Sequence, residues 1–84
     1  MDNKTADELF EDLHYMLIDK DAEDYLDYHI TCKNEEQDRY YNQDIIFYFQ
    51  DKVVYVKTDD VREAPILNSA EIEAIQLKMK ELGW

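Results

Sequence analysis

Apolar residues near the start of the chain recur at the spacing of one helix face. They are Ala6, Leu9, Phe10, Leu13, Met16 and Leu17, and a stripe of this period predicts a helix that buries one side. Thr5 and Glu8 fit a capping box, in which each side chain accepts a hydrogen bond from a free backbone N–H group at the helix start. The pattern therefore predicts a first helix over residues 5–19, with an extension by one turn within Asp21–Asp24 as an alternative.

A strict alternation of apolar and polar residues follows this helix. Leu26, Tyr28, Ile30 and Cys32 alternate with Asp27, His29, Thr31 and Lys33. That period of two is typical of a half-buried strand. Residues 34–43 are mostly polar and predict a loop.

The clearest hairpin signal lies at residues 44–58, which are rich in β-branched and aromatic side chains and interrupted only by Asp51 and Lys52. A two-residue turn there places two sets of side chains on opposite faces. The first set is Ile45, Phe47, Phe49, Val54, Val56 and Thr58, and the second is Ile46, Tyr48, Gln50, Val53, Tyr55 and Lys57. The first set predicts a core face, and the second predicts a cross-strand pair of Tyr48 and Tyr55. Asp-Lys is a poor two-residue hairpin turn, so a longer loop is an alternative.

A second helix is predicted near the end of the chain. Residues 59–68 connect to it, Asn68 is a good N-cap and Glu71 stands three residues further on. Its buried stripe is Ile72, Ile75, Met79 and Leu82. Gly83 is placed to end this helix in a left-handed backbone conformation.

These elements predict an α+β fold with the order α-β-β-β-α. We expect one domain over residues 1–84, with a three-stranded antiparallel meander covered on one face by the two helices.

Acidic residues dominate the charge of the chain and are unevenly distributed. The 84 residues carry 21 acids and 9 bases, for a net charge of −12, and residues 1–27 alone carry ten acids and two bases. A charge of this sign disfavours direct binding to nucleic acid or to an anionic membrane. It favours a basic protein as partner, and basic surfaces are typical of nucleic-acid-binding proteins.

The candidate partner-binding surface follows from this distribution. It comprises Asp7, Glu8, Glu11, Asp12, Asp19, Asp21, Glu23, Asp24, Asp27, Glu35, Glu36, Asp38, Tyr40 and Tyr41. The pairs Asp7/Glu11 and Glu8/Asp12 place like charges four residues apart, which costs roughly 0.2–0.5 kcal/mol each. A row of carboxylates retained at that cost resembles a row of phosphates. The alternative is a solvated surface that keeps the protein in solution.

The chemistry of an enzyme is missing from the sequence. Cys32 alternates with core residues and is typical of a structural thiol, and Ser69 lies at a helix start, where capping is its ordinary role. His14 and His29 lack partners at metal-ligand spacing. We therefore expect no catalysis, no metal and no cofactor. A single cysteine, an acidic start and no long apolar run predict a cytoplasmic protein.

In size, acidity and element order the chain resembles small phage-encoded inhibitors that mimic DNA. It is similar to a type II-A anti-CRISPR protein with an acidic α-β-β-β-α core, which occupies the PAM-reading cleft of Cas9. The resemblance implies a non-catalytic inhibitor that blocks the nucleic-acid-binding groove of a basic partner. It concerns the class as a whole, and no individual functional residue is carried over from it.

A general protein-interaction module is the alternative function. It includes immunity and antitoxin-type proteins, and also a homodimer formed through the face of Ile46, Tyr48, Val53 and Tyr55. Both functions agree with the composition, so the sequence leaves monomer and homodimer open.

Overall fold

The computed structural model describes residues 4–21 and 24–84, with the backbone alone at residues 19–21. Its helices are α1 (Ala6–Asp12) and α2 (Ser69–Glu81), and its strands are β1 (Met16–Asp21), β2 (Tyr25–Asn34), β3 (Arg39–Tyr48) and β4 (Val53–Thr58). The predicted α+β class is confirmed. Two compact units contain these elements, one with both helices and the other, Met16–Pro65, with the sheet. No described helix has the length and apolar character that crossing a membrane requires.

Both helices begin with the predicted capping boxes, Thr5 with Glu8 and Asn68 with Glu71. The two helices contact each other within their unit. The Ala6 N–H group donates to Glu81 Oε2 over 2.7 Å, and the Tyr15 hydroxyl donates to Glu71. The apolar side chains buried in this unit are Ala6, Phe10, Tyr15, Ala74 and Ile75. Local capping therefore fixes where each helix starts, and burial selects the side that faces inward.

The predicted end of the first helix is wrong, because α1 stops at Asp12 and not at residue 19. His14 adopts a left-handed backbone with φ of 73°. Its N–H donates to the Glu11 carbonyl and the Tyr15 N–H donates to the Phe10 carbonyl, each over 2.9 Å. These two bonds form a Schellman closure, which normally places glycine at the left-handed position. A histidine there gave no sequence signal for the helix end.

Residues 16–21, predicted as the end of the helix or its extension, form a fourth strand instead. β1 pairs antiparallel with β2, with Met16 opposite His29 and Lys20 opposite Leu26. Met16 and Leu17 are 67% and 41% exposed, so they do not continue the buried stripe of α1. The three-stranded meander is therefore corrected to a four-stranded antiparallel sheet in the order β1-β2-β3-β4.

The β2–β3 hairpin is longer than predicted. Its register runs without interruption from Tyr25 opposite Tyr48 to Asn34 opposite Arg39. Most of the predicted loop over residues 34–43 is therefore strand, and only residues 35–38 form the turn. Polar side chains at the end of a hairpin remain compatible with strand pairing, because both faces can be solvated there.

The β3–β4 hairpin confirms the predicted core face and adjusts the turn. Ile45 lies opposite Val56 and Phe47 opposite Val54. Residues 49–52 all belong to the turn, which makes it longer than the two-residue turn. Tyr48 therefore lies opposite Val53 and not opposite Tyr55, although the two tyrosine rings still meet diagonally.

The two faces of the sheet differ in burial. The core face carries Leu26, Tyr28, Ile45 and Phe47, which are at most 6% exposed. The other, here called the tyrosine face, carries side chains that alternate with these. They are Tyr25, Asp27, His29, Asp44, Ile46, Tyr48, Val53, Tyr55 and Lys57. Ile46 is buried on this face, whereas Tyr48 and Tyr55 are 37% and 59% exposed.

Candidate functional site

The acidic residues of α1 form a single exposed group. Asp7, Glu8, Glu11 and Asp12 are all exposed, whereas Ala6 and Phe10 of the same helix are buried. Residues four apart on a helix lie on the same side, so Asp7 and Glu11 are neighbours, as are Glu8 and Asp12. We call these four residues the α1 acidic group.

Two lysines contact the α1 acidic group. Lys4 Nζ lies 2.5 Å from Asp12 Oδ2, and Lys78 Nζ lies 3.2 Å from Asp7 Oδ1. The Glu8 carboxylate accepts the Thr5 N–H over 2.9 Å and completes the capping box. The side chains of Asp12 and Asp7 nevertheless remain 55% and 58% exposed. Both carboxylates therefore remain accessible to a partner.

The second predicted group surrounds the β1–β2 hairpin. Glu23 and the side chains of Asp19 and Asp21 lie outside the described residues. Asp24 is exposed, and its backbone carbonyl accepts the Phe49 N–H over 3.0 Å. Asp27 is half-buried in β2 on the tyrosine face. Asp24 and Asp27 therefore belong to a sheet end and not to a helix.

Glu35, Glu36, Asp38, Tyr40 and Tyr41 form the third group, at the β2–β3 turn. The three acids are exposed, and Lys33 Nζ lies 3.1 Å from Asp38 Oδ1 and 4.0 Å from Glu35 Oε2. Tyr40 is 69% exposed, with Lys33 Nζ 5.7 Å from its ring centre. Tyr41 is half-buried, and desolvation together with nearby Cys32 raises the pKa of its hydroxyl. Tyr40 is therefore the accessible tyrosine of this pair.

The second and third groups lie at opposite ends of β2. Asp27 and Glu35 are separated by eight residues, and a strand advances about 3.3 Å per residue, which makes a distance of roughly 25 Å. The turn acids therefore do not extend the surface around Asp24 and Asp27. Along β2 the structure places two separate carboxylate clusters.

A polar cluster on the tyrosine face was not predicted as a unit. His29 Nδ1 lies 2.8 Å from Asp44 Oδ1, and Lys57 is the cross-strand neighbour of Asp44. The Asp27 carboxyl group interacts with the same Asp44, while its own Oδ1 atom is buried without a hydrogen-bond partner in the structure. Alternation along β2 placed Asp27 and His29 on one face, but only the register with β3 brings Asp44 to them.

The environment of Asp27 raises the pKa of its carboxyl group to about 6. Desolvation by burial is the largest cause, followed by the hydrogen bond and the negative charge of Asp44. Lys57 and His29 oppose the shift because positive charge favours the carboxylate. The cluster therefore places the Asp27 and Asp44 carboxyl groups side by side, with Lys57 and His29 as neighbouring bases from two strands.

Tyrosine rings surround the exposed part of the same face. The Tyr48 ring centre lies 5.4 Å from that of Tyr55 and 6.0 Å from that of Tyr25. An open depression of about 370 Å³ is lined by Ile46, Tyr48, Asp51, Tyr55 and Lys57. Tyrosines that expose an apolar ring are common in protein interfaces.

The residues weighed for catalysis are not assembled into a site. Cys32 is half-buried next to Tyr41 on one face of the sheet, His29 lies on the other, and His14 ends α1. Across residues 4–21 and 24–84, no three His, Cys, Asp or Glu side chains are grouped so that they could hold a metal ion.

Comparison of the chain with protein-family models, curated proteins and solved structures gives no significant match.

Proposed function

We propose that this protein is a non-catalytic acidic inhibitor that mimics nucleic acid and occupies the nucleic-acid-binding groove of a basic protein. The observation that carries the proposal is the exposure of all four members of the α1 acidic group on one short helix. These carboxylates present fixed negative charge at an exposed surface. A groove lined with lysine and arginine offers them the contacts that it otherwise gives to phosphates.

Electrostatics supports rapid and selective association with such a groove. The net charge of −12 attracts a basic surface over a distance of about a Debye length and raises the association rate. Lys4 and Lys78 neutralise part of the α1 acidic group in the free protein. Because both members of the Lys4–Asp12 pair are exposed, a partner arginine can replace Lys4 at little cost.

Cas9 is the first partner to test, because the resemblance to anti-CRISPR inhibitors implies it. The inhibitor would compete there with the DNA duplex that carries the PAM. Within the same proposal, any basic nucleic-acid-binding protein with an open groove is an equivalent class of partner.

Displacement of a labelled DNA duplex from the Cas9–guide RNA complex tests the proposal. The test variant, Glu8→Gln/Glu11→Gln/Asp12→Asn, removes three charges, and Gln at position 8 keeps the capping acceptor. The matched control, Glu35→Gln/Glu36→Gln/Asp38→Asn, removes the same charges at the β2–β3 turn. We expect the test variant to lose at least tenfold in affinity at low salt, about 1.4 kcal/mol. The control should lose much less.

The wild-type affinity should also fall as salt rises, because screening weakens charge–charge attraction. Equal losses in the two triple variants would show that net charge alone matters and would contradict docking through α1. If the wild-type protein does not displace DNA from Cas9, this partner is excluded, and pull-downs at low and high salt then test other basic proteins.

A second candidate function is a protein-interaction module of the immunity or antitoxin type. It is favoured by exposed apolar side chains of the sheet unit, since Met16, Ile18 and Tyr55 are 67%, 52% and 59% exposed. Such a module binds its partner without displacing nucleic acid, so the same competition assay distinguishes the two functions.

A further inference from the structure

The depression on the tyrosine face exposes an aromatic ring that has few contacts of its own. Tyr48 and Tyr55 pack edge to face, with an angle of 87° between their ring planes. Tyr48 also contacts Tyr25, whereas Tyr48 is the one aromatic neighbour of Tyr55 among the described residues. In the same part of the chain, no lysine or arginine lies over either ring of the Tyr48–Tyr55 pair. Tyr55 is 59% exposed and therefore offers an open ring to a ligand.

Asp51 supplies an available carboxylate to the same depression. It belongs to the β3–β4 turn, is exposed, and lines the depression together with Tyr48 and Tyr55. Among the residues that the structure describes, no basic group or hydrogen-bond donor pairs with its side chain. The face of an aromatic ring carries negative charge density, as a carboxylate does. The two groups together therefore favour a cation.

Lys57 is the base that lines the depression, and the strand register places it away from Asp51. It lies opposite Asp44, four strand residues beyond Val53, which is roughly 13 Å from the point where β4 leaves the turn. Its positive charge acts on the neighbouring Asp27 carboxyl group, on the same side of the face as Asp44. The end of the depression near Asp51 is therefore left for a cation from outside.

An arginine side chain has the properties that this arrangement selects. Its planar guanidinium group stacks on aromatic rings, donates two parallel hydrogen bonds to a carboxylate, and is more weakly hydrated than the ammonium group of lysine. Its aliphatic stem can cover Ile46, which lines the same depression. The volume of about 370 Å³ is large enough for one such side chain. The net charge of −12 also attracts a basic partner.

We propose that this depression binds an arginine side chain of a partner protein, with the guanidinium group stacked on Tyr55 and paired with Asp51. The site lies in the sheet unit and uses no residue of the α1 acidic group. It does not require mimicry of nucleic acid, because any partner with an accessible arginine satisfies it. It is therefore a second recognition element with its own test.

An arginine peptide tests the site on the wild-type protein. The probe is the capped tripeptide acetyl-Gly-Arg-Gly-amide, and NMR follows the ring signals of Tyr55, which we expect to shift and to saturate. The lysine version should bind about threefold more weakly, since an ammonium group does not stack. The version with citrulline, which is planar but neutral, should bind about tenfold more weakly. A Tyr55 ring that does not respond, or equal binding of arginine and citrulline, overturns the proposal.

Asp51→Asn tests the carboxylate. It removes one exposed charge from the depression and should weaken binding of the arginine peptide about threefold. Asp38→Asn makes the same chemical change at the exposed β2–β3 turn and is the matched control, which should bind like wild type. Equal losses in the two variants would mean that the peptide responds to net charge alone, and would overturn the pairing with Asp51.

Two substitutions of Tyr55 test the stacking. Tyr55→Phe keeps the ring and should bind like wild type, whereas Tyr55→Leu removes it and should weaken binding about fivefold. Equal affinity of these two variants contradicts the proposal. Should Tyr55→Leu fail to fold, the comparison of the three peptides on the wild-type protein decides.

The α1 variant separates this site from the proposed inhibitor function. Glu8→Gln/Glu11→Gln/Asp12→Asn should bind the arginine peptide like wild type, because none of its substitutions lies in the depression. Loss of DNA displacement by that variant and loss of peptide binding by Asp51→Asn are therefore independent results. If the α1 variant loses the peptide as strongly as Asp51→Asn does, the arginine site is wrong.

Discussion

Several residues of the described chain adopt a left-handed backbone conformation. His14, Asp38 and Lys52 have positive φ angles of 73°, 49° and 55°, and each lies at a helix end or a turn. Only Gly83, with φ of 79°, is a residue that adopts this conformation without cost. The other three are therefore positions where sequence and backbone conflict.

Replacing His14 with glycine should stabilise the protein. Glycine removes the cost of the left-handed conformation at the Schellman position, for an expected gain of about 0.5–1 kcal/mol in the free energy of unfolding. Urea denaturation measures the gain. His14→Ala is the control, because alanine keeps the steric cost, and an equal gain in both variants would contradict the explanation.

Asp27 should make stability depend on pH. Its folded-state pKa is raised from 3.8 to about 6. Between these values the folded protein keeps a proton that the unfolded chain has lost, so stability falls as pH rises through this window. Asp27→Asn removes the ionisation and should unfold at a higher urea concentration than wild type above pH 6, with little difference below 3.8. A constant difference across the range would show that Asp27 does not titrate in this way.

Among larger elements, the segment after β4 contacts an arginine of β3. Arg39 Nε donates to Asp60 Oδ2 over 2.9 Å and Arg39 Nη2 donates to Glu63 Oε1 over 2.6 Å. All three side chains are mostly buried, at 16–18% exposure. The Thr58 hydroxyl also donates to the Glu63 carbonyl over 2.6 Å. These contacts attach residues 59–63 to the β2–β3 hairpin.

Arg39→Ala should cost about 1–3 kcal/mol, because it leaves the mostly buried Glu63 without the cation that it contacts and leaves Asp60 with only Arg62. Amide exchange over residues 59–63 should accelerate more than exchange in β3. Arg39→Lys keeps the charge but cannot contact both acids in the same geometry, so its loss should be intermediate. If Arg39→Ala and Arg39→Lys lose the same stability, the geometry of the guanidinium contacts, and not the positive charge, holds residues 59–63.

Residues 16–21 show why the sequence pattern can predict a helix where the structure forms a strand. Met16 and Leu17 continue the helical spacing of α1, yet the helix closes at His14 and residues 16–21 pair with β2. A short apolar run fits both the helical period of 3.6 residues and the strand period of two. Pairing with a neighbouring strand then favours the strand. The β3–β4 register was predictable because the alternation there is long and both strands are adjacent in sequence.

For the whole molecule, the excess of 12 negative charges should make stability sensitive to salt. Sodium chloride screens repulsion among the exposed carboxylates. We expect the thermal midpoint to rise by several degrees, since 1 kcal/mol corresponds to roughly 4–8 °C in a domain of this size. The Glu35→Gln/Glu36→Gln/Asp38→Asn variant should show a smaller rise. A midpoint that falls with salt would indicate that ion pairs such as Lys4–Asp12 outweigh the repulsion.

Like the fold, the candidate site was predictable where it depends on residues that are close together in the sequence. Helical spacing was sufficient to place Asp7, Glu8, Glu11 and Asp12 on one exposed side. The sequence did not show that Lys78 of α2 contacts Asp7, or that Asp27 and Glu35 lie at opposite ends of one strand. Those relations depend on distances between residues far apart in the chain.

Local sequence was sufficient to predict the two capped helix starts, β2, the second half of β3, β4 and the strongly acidic character. Each of these follows from hydrogen bonds or side-chain alternation among close neighbours, or from composition alone. The end of α1, the strand at Met16–Asp21, the raised pKa of Asp27 and the position of β4 at the end of the sheet follow only from tertiary contacts. Each of these depends on which segment lies beside another, because strand pairing and burial set energies that local sequence does not contain.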